Sequence, residues 1–326
     1  MTEPRRDLPP GYQEQLDLGY VFGGLSTFAQ RPFVPDVTQL KEWQPDVAIM
    51  GAPFDLGTTN RPGARFGPRA IRTQAYEPGT FHLDLGLEIF DHLEVVDAGD
   101  AFCPHGRVEQ SLDNVKAKVA EIVNAGITPI VIGGDHTITW PSATAVAEKY
   151  GFGRVGMVHF DAHADTADTI DGNLASHGTP MRRLIESGAI PGKNFVQVGL
   201  RGYWPGQDVW DWMAGQGMKW HMMDEVHRRG MDAVITDVQT NLVSEDEFQK
   251  LQNQVENDFV TANNSVAGIA ESLAQYDMYY GDANLINTEL ERYRKVTRED
   301  IRAAAIKYYN HNARIILHWL PQPAKP

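Results

Sequence analysis

"RVGMVHFDAHADTAD", residues 154–168, decides the reading of this chain. An apolar run, 154–160, leads directly into Asp161, His163 and Asp165 on alternate residues. Alternation on an extended segment throws those three side chains toward one face, where they can grip one ion or a closely spaced pair.

The pattern around this stretch supplies the frame. "DVAIMGAP" (46–53), "LEVVDAGD" (93–100), "TPIVIGG" (128–134), "NFVQVGL" (194–200) and "MKWHMM" (218–223) are further β-rich runs, separated by helix-like segments. Such alternation predicts an α/β fold, a parallel sheet with helices on both faces. Ligand sites in these sheets lie at the carboxyl ends of the strands. His136 follows "IVIGGD", so two separate strands deliver metal-type side chains to the same edge.

Carboxylates with imidazoles suit manganese, iron or zinc. Cys103 is the only cysteine, which excludes both a thiolate cage and an intrachain disulfide and leans the choice toward manganese. The alternative is a set of hydrogen-bonded polar residues at a strand end. Four such residues on two strand ends favour the metal.

Of the 326 residues, 43 are acidic and 29 basic, giving a net charge of −14. That balance argues against nucleic acid or an anionic membrane as partner and is compatible with a small cationic substrate. The first residues carry no apolar core of signal-peptide length and no window reads as a membrane span, so the expected location is cytoplasmic.

From about residue 238 the texture changes. "SEDEFQKLQNQVENDF" (244–259) carries Ser244 and Glu247 as a capping box. "SVAGIAESLAQYDMYYG" (265–281) places Val266, Ile269, Leu273, Tyr276 and Tyr280 on one helical face. "VTREDIRAAAIKYYN" (296–310) reads as another helix and "ARIILHWLP" (313–321) as a closing strand. The expected domains are therefore 1–237, α/β, and 238–326, mostly helical.

"TTNRPGARFGPRAIR" (58–72), "GGDHT" (133–137), "HFDAHAD" (159–165), "SHGTP" (176–180), "VGLRGY" (198–203) and "MDEVHRRGMDAVI" (223–235) together resemble the ureohydrolases, the arginase and agmatinase family, over about residues 20–237. The early glycine-rich loop and "HGTP" are more similar to agmatinases than to arginases. The resemblance implies a three-layer parallel sheet of the arginase type and a manganese-dependent amidinohydrolase that releases urea from a small guanidino substrate such as agmatine. It also implies two manganese ions and a homo-oligomer. By position, His136 and Asp165 resemble terminal ligands of the first ion, Asp161 a bridging ligand and His163 a ligand of the second. His177 resembles the histidine that moves protons near the substrate. Within the loop 58–72, Gly63 and Gly67 allow a tight turn, and Arg65 and Arg69 are expected to make structural contacts.

The chain departs from the family in one respect. The later Ser-x-Asp-x-Asp motif that completes the two-metal site has no match in 238–326, nor has the glutamate near the guanidinium. The sheet is therefore expected to be incomplete, with exposed edges. Residues from about 244 to 322 instead resemble the C-terminal end of an insulinase-like zinc peptidase, without the His-x-x-Glu-His motif that proteolysis needs. Besides an active agmatinase-type enzyme, the sequence leaves open a catalytically impaired fusion or chimera that binds at most one metal, and an unstable composite with no function of its own.

Overall fold

The computed structural model describes residues 24–74, 80–241, 259, 263 and 265–295. Eight strands are found among them: β1 (Val47–Ala52), β2 (Phe81–His82), β3 (Leu87–Glu88), β4 (Val95–Asp100), β5 (Thr128–Gly133), β6 (Met157–Phe160), β7 (Phe195–Leu200) and β8 (Lys219–Met222). All six β-rich runs of the sequence form strands, shortened by one to three residues at their ends.

The strands make two parallel three-stranded sheets, ordered β4-β1-β5 and β6-β7-β8, and an antiparallel β2-β3 pair. In the first, Val47 of β1 stands opposite both Val95 and Thr128. In the second, Val196 of β7 stands opposite both Val158 and Lys219. The central strand β7 is buried along its whole length. That is the expected state of a parallel strand covered on both faces.

The helices of this part are α1 (Val37–Trp43), α2 (Gly67–Gln74), α3 (Val108–Asn124), α4 (Thr139–Tyr150), α5 (Pro180–Glu186), α6 (Gln207–Gly215) and α7 (Met223–Arg229). On α3 the buried residues Leu112, Val115, Val119, Ile122 and Val123 recur at helical spacing, so one stripe faces the core. They join Leu40, Met50, Phe54 and Val96 in the core under the first sheet. Met181, Leu184, Ile190, Phe195, Leu200 and Met213 form the core under the second.

The expected α/β architecture is present, and among the described residues its parallel strands form two separate sheets. Among the described residues β5 pairs only with β1, and β6 only with β7. Among the described residues, then, each has an edge without a partner strand. Ile130 on β5 and Val158 and Phe160 on β6 are exposed apolar side chains.

The chain divides into two compact units, Met1–Arg228 and Arg229–Pro326, slightly before the boundary read at 237/238. In the second, helices Met231–Asn241, Val266–Tyr280 and Glu289–Lys295 are described. Ser265 caps the middle one, its Oγ accepting from the Gly268 amide at 3.1 Å. The apolar face read on this helix carries Val266, Ile269 and Leu273, which are exposed. The apolar periodicity is real, but periodicity alone does not supply a surface to pack on. The helix read from 244, that from 296 and the strand from 313 lie outside the described residues, apart from isolated positions.

Candidate metal centre

The site is built where β5 and β6 end. After β5 the chain turns through Gly134, whose φ is +68°. A Cβ there would stand 2.4 Å from the Ala52 carbonyl oxygen and 2.5 Å from that of Phe54, so only glycine fits. Asp135 then caps the turn His136–Ile138 by accepting from the Thr137 amide at 2.8 Å. Its other carboxylate oxygen accepts from the Gly57 amide at 2.8 Å, tying the early glycine-rich loop to this strand end.

β6 ends at Phe160, and the next residues bend. The expected extended alternation is therefore broken: Asp161 is fixed by its amide bonding to the Val198 carbonyl at 3.2 Å, and Asp165 takes a left-handed φ of +52°. This curl returns Asp165 to Asp161 and leaves His163 outside. The His136 Nδ1 atom is in hydrogen-bond contact with Asp165 Oδ2 and 3.7 Å from Asp161 Oδ2. His163 has its side chain 59% exposed, with Nδ1 3.7 Å from Asp161 Oδ1.

The position that joins the group is His159. His136, His159, Asp161 and Asp165 each offer one ligand atom, and all four atoms lie within 4.8 Å of one another. His159 Nε2 is 3.4 Å from Asp161 Oδ2, and the His136 and His159 rings stack with centroids 5.1 Å apart. Sequence reasoning had absorbed His159 into the apolar run of β6; its place two residues before Asp161, on the same alternation, was the available signal.

The electrostatics suit a cation. Burial pushes the Asp161 carboxyl up, but His159 and the His163 amide, which donates to Oδ1 at 2.8 Å, outweigh it and bring the group down to about 2. At His136 burial opposes the protonated ring, yet the adjoining Asp165 and Asp161 carboxylates raise its pKa. A proton and a metal ion compete for the same negative pocket. Two carboxylates with imidazole nitrogen and no sulfur form a donor set that fits manganese, with iron or zinc also compatible.

His177 belongs to the same neighbourhood through the early loop. Its amide donates to the Gly57 carbonyl at 3.2 Å, and the Ser176 hydroxyl donates to the same oxygen at 3.0 Å. The Thr59 hydroxyl lies 2.9 Å from His177 Nε2, a partner the sequence did not announce. Arg65 makes the structural contact expected of it, pairing with Asp55. Arg69 is exposed, and it is Arg72 that makes the buried ion pair of the segment, with Asp97.

These features define an α/β protein with a carboxylate–imidazole metal centre at the carboxyl ends of its parallel strands. The Arginase family model matches residues 45–248, and the chain belongs to the arginase family. Chicken mitochondrial agmatinase is 41% identical over 172 residues, 52% of this chain and 50% of that protein. Guanidinobutyrase of Pseudomonas aeruginosa is 34% identical over 217 residues, 67% of each chain. The solved proclavaminate amidinohydrolase of Streptomyces clavuligerus superposes with a TM-score of 0.60 at 32% identity, covering 69% of this chain and 72% of that one. The chain spans about half the length of the first curated relatives it matches. The solved formiminoglutamase of Trypanosoma cruzi with Mn2+ superposes with a TM-score of 0.56 at 28% identity, covering 65% of this chain and 72% of that one. Among the described residues no helix is long and apolar enough to cross a membrane.

Proposed function

We propose that this chain is a manganese-dependent amidinohydrolase of the agmatinase type, cleaving a small guanidino substrate with water to urea and an amine. The convergence of His136, Asp161 and Asp165 at two strand ends carries this reading. Its relatives include an agmatinase, a guanidinobutyrase and an amidinohydrolase, which share the guanidino or amidino group and differ in the rest of the substrate.

His136, Asp161 and Asp165 would hold manganese, with His163 the nearest further imidazole on the exposed side. Bound there, the ion would lower the pKa of a coordinated water and supply a nucleophile at neutral pH. Asp161, ionised far below neutrality, contributes fixed negative charge that also attracts a guanidinium. Breaking the C–N bond requires a proton on the departing nitrogen, and His177 would deliver it. Thr59 orients that ring.

A second reading is favoured by one observation: His163 stays outside the cluster, and no further carboxylate of the described residues joins it. On that reading the chain binds one metal and does not turn over. Urea release from agmatine, guanidinobutyrate and arginine by manganese-loaded protein, with Asp165→Ala alongside, separates the two. Metal-dependent urea that disappears in the variant supports the enzyme. Folded, metal-loaded protein that releases none supports the impaired form.

A further inference from the structure

His159 and Gln197 are direct partners across the β6–β7 ladder. Both side chains are buried, His159 to 6% exposure and Gln197 to 0%. The Gln197 amide nitrogen donates to the Ala164 carbonyl at 2.7 Å, and the same nitrogen lies 3.0 Å from His159 Nδ1. The backbone carbonyl can only accept, so it fixes which end of the amide faces it. The second N–H of that nitrogen then points at Nδ1, which must accept. A neutral ring that accepts at Nδ1 carries its proton at Nε2.

That nitrogen faces Asp161 Oδ2 at 3.4 Å, at the long limit of a hydrogen bond, and no other acceptor meets it among the described residues. A nitrogen carrying a proton has no lone pair to offer a metal. His159 therefore stands in the cluster without being one of its ligands.

We propose that Gln197 and His159 act as a positioning relay for the metal ligand Asp161: the Ala164 carbonyl orients the Gln197 amide, the amide sets the His159 tautomer, and the Nε2–H of His159 holds Asp161 Oδ2 in place. The relay rests on the metal-centre reading, and it extends that reading from the ligand atoms to the groups behind them. Partners of this kind fix ligand orientation, and their loss weakens metal binding by about 10- to 100-fold.

The test combines tautomer and affinity. Long-range nitrogen–proton NMR of the metal-free chain, labelled at histidine, reports which ring nitrogen of His159 carries the proton, its signal assigned by disappearance in His159→Gln. Manganese affinity is then measured by paramagnetic resonance of the free ion for wild type, His159→Leu and His159→Gln, with thermal melting to confirm folding. The expected result is an Nε2-protonated ring, affinity lower by roughly tenfold or more in the leucine variant, and recovery to within a few-fold in the glutamine variant, whose amide can donate from about the same place. An Nδ1-protonated ring, unchanged affinity in His159→Leu, or a glutamine variant as weak as the leucine one would overturn the relay. Wild-type protein that binds no manganese would overturn the metal-centre reading and the relay with it, whereas binding that ignores His159 overturns the relay alone. If the leucine variant does not fold, the wild-type spectrum and the glutamine variant still decide.

Discussion

Arg72 grips Asp97 with two hydrogen bonds, Nε to Oδ2 at 2.7 Å and Nη2 to Oδ1 at 2.9 Å, and the carboxylate is fully buried. The pair joins α2 to β4. Asp97 also accepts from the Phe28 and Gly99 amides, and Arg72 reaches Asp100 at 2.6 Å. Removing one member of such a network leaves a buried charge without its partner. Arg72→Ala is expected to destabilise the α/β unit by about 3–5 kcal/mol. Arg72→Lys should recover only part of this, because an ammonium cannot make the two parallel bonds. Chemical denaturation followed by tryptophan fluorescence measures both; a loss under about 1 kcal/mol in the alanine variant would place the pair among weak surface contacts instead.

Asp55 gives a stability that depends on pH. The Arg65 side chain donates to its carboxylate and holds the acid below its ordinary range against the opposing effect of burial, with the Gly63 amide adding a bond at 2.7 Å. An acid whose pKa is lower folded than unfolded stabilises the fold above the unfolded value of about 3.9, and that contribution is lost as pH falls through the folded value. Asp55→Asn should cost on the order of 2 kcal/mol at neutral pH. The gap between variant and wild type should close as the pH is lowered below 4, roughly the unfolded value. Melting curves at pH steps between these limits test the sign: a gap that widens in acid contradicts it.

Much of the frame was legible because parallel strands covered on both faces must be apolar along their length, so β1, β4, β5 and β7 stand out as runs. His136, Asp161 and Asp165 were legible for a related reason, since polar side chains directly after such runs mark strand ends. His159 was hidden by the run that contains it. Its value comes from Gln197, which stands opposite it in the register yet lies far away in sequence. At His163 spacing and structure differ: the alternation reads it onto the face of Asp161 and Asp165, whereas the strand ends at Phe160 and the backbone curls, leaving its side chain exposed. The grouping of the described parallel strands into two sheets had no local signal in the sequence.

The exposed position of His163 makes a sharp expectation about metal binding. Asp165 is 5% exposed and touches His136, whereas His163 stands at the rim. Asp165→Ala should weaken manganese binding by more than the roughly 100-fold upper figure for groups behind the ligands. His163→Ala should change the affinity of the first ion by less than a few-fold and remove a second ion if one binds. Titration with metal analysis of the loaded protein reads both the affinity and the ion count. Equal losses in the two variants would show that His163 is an equal member of the centre.

His177 should affect turnover without affecting the metal. Its ring is held by Thr59 on the early loop, separately from the ligand set. If the chain is active, His177→Ala is expected to lower kcat by about 10²–10⁴ while manganese affinity stays at the wild-type value. Thr59→Val should lower kcat by less, and Thr59→Ser, which keeps the hydroxyl, should restore it. A variant at 177 that loses metal and activity together would instead assign the histidine to the metal centre.

The edges of β5 and β6 that have no partner strand among the described residues carry the last expectation. An unpaired strand presents its N–H and C=O groups to any other strand, and exposed apolar side chains beside it add a driving force for association. Ile130 on β5 is 43% exposed. A lysine there keeps its stem on the apolar surface and holds its charge in water, so it opposes a second strand without removing much packing. Ile130→Lys is expected to reduce self-association in size-exclusion chromatography with light scattering, at a stability change of less than about 1 kcal/mol. Val158→Lys on β6 should act in the same direction. If both variants associate as wild type does, these edges are not what brings copies of the chain together. If either variant unfolds outright, that side chain packs more tightly than its exposure indicates.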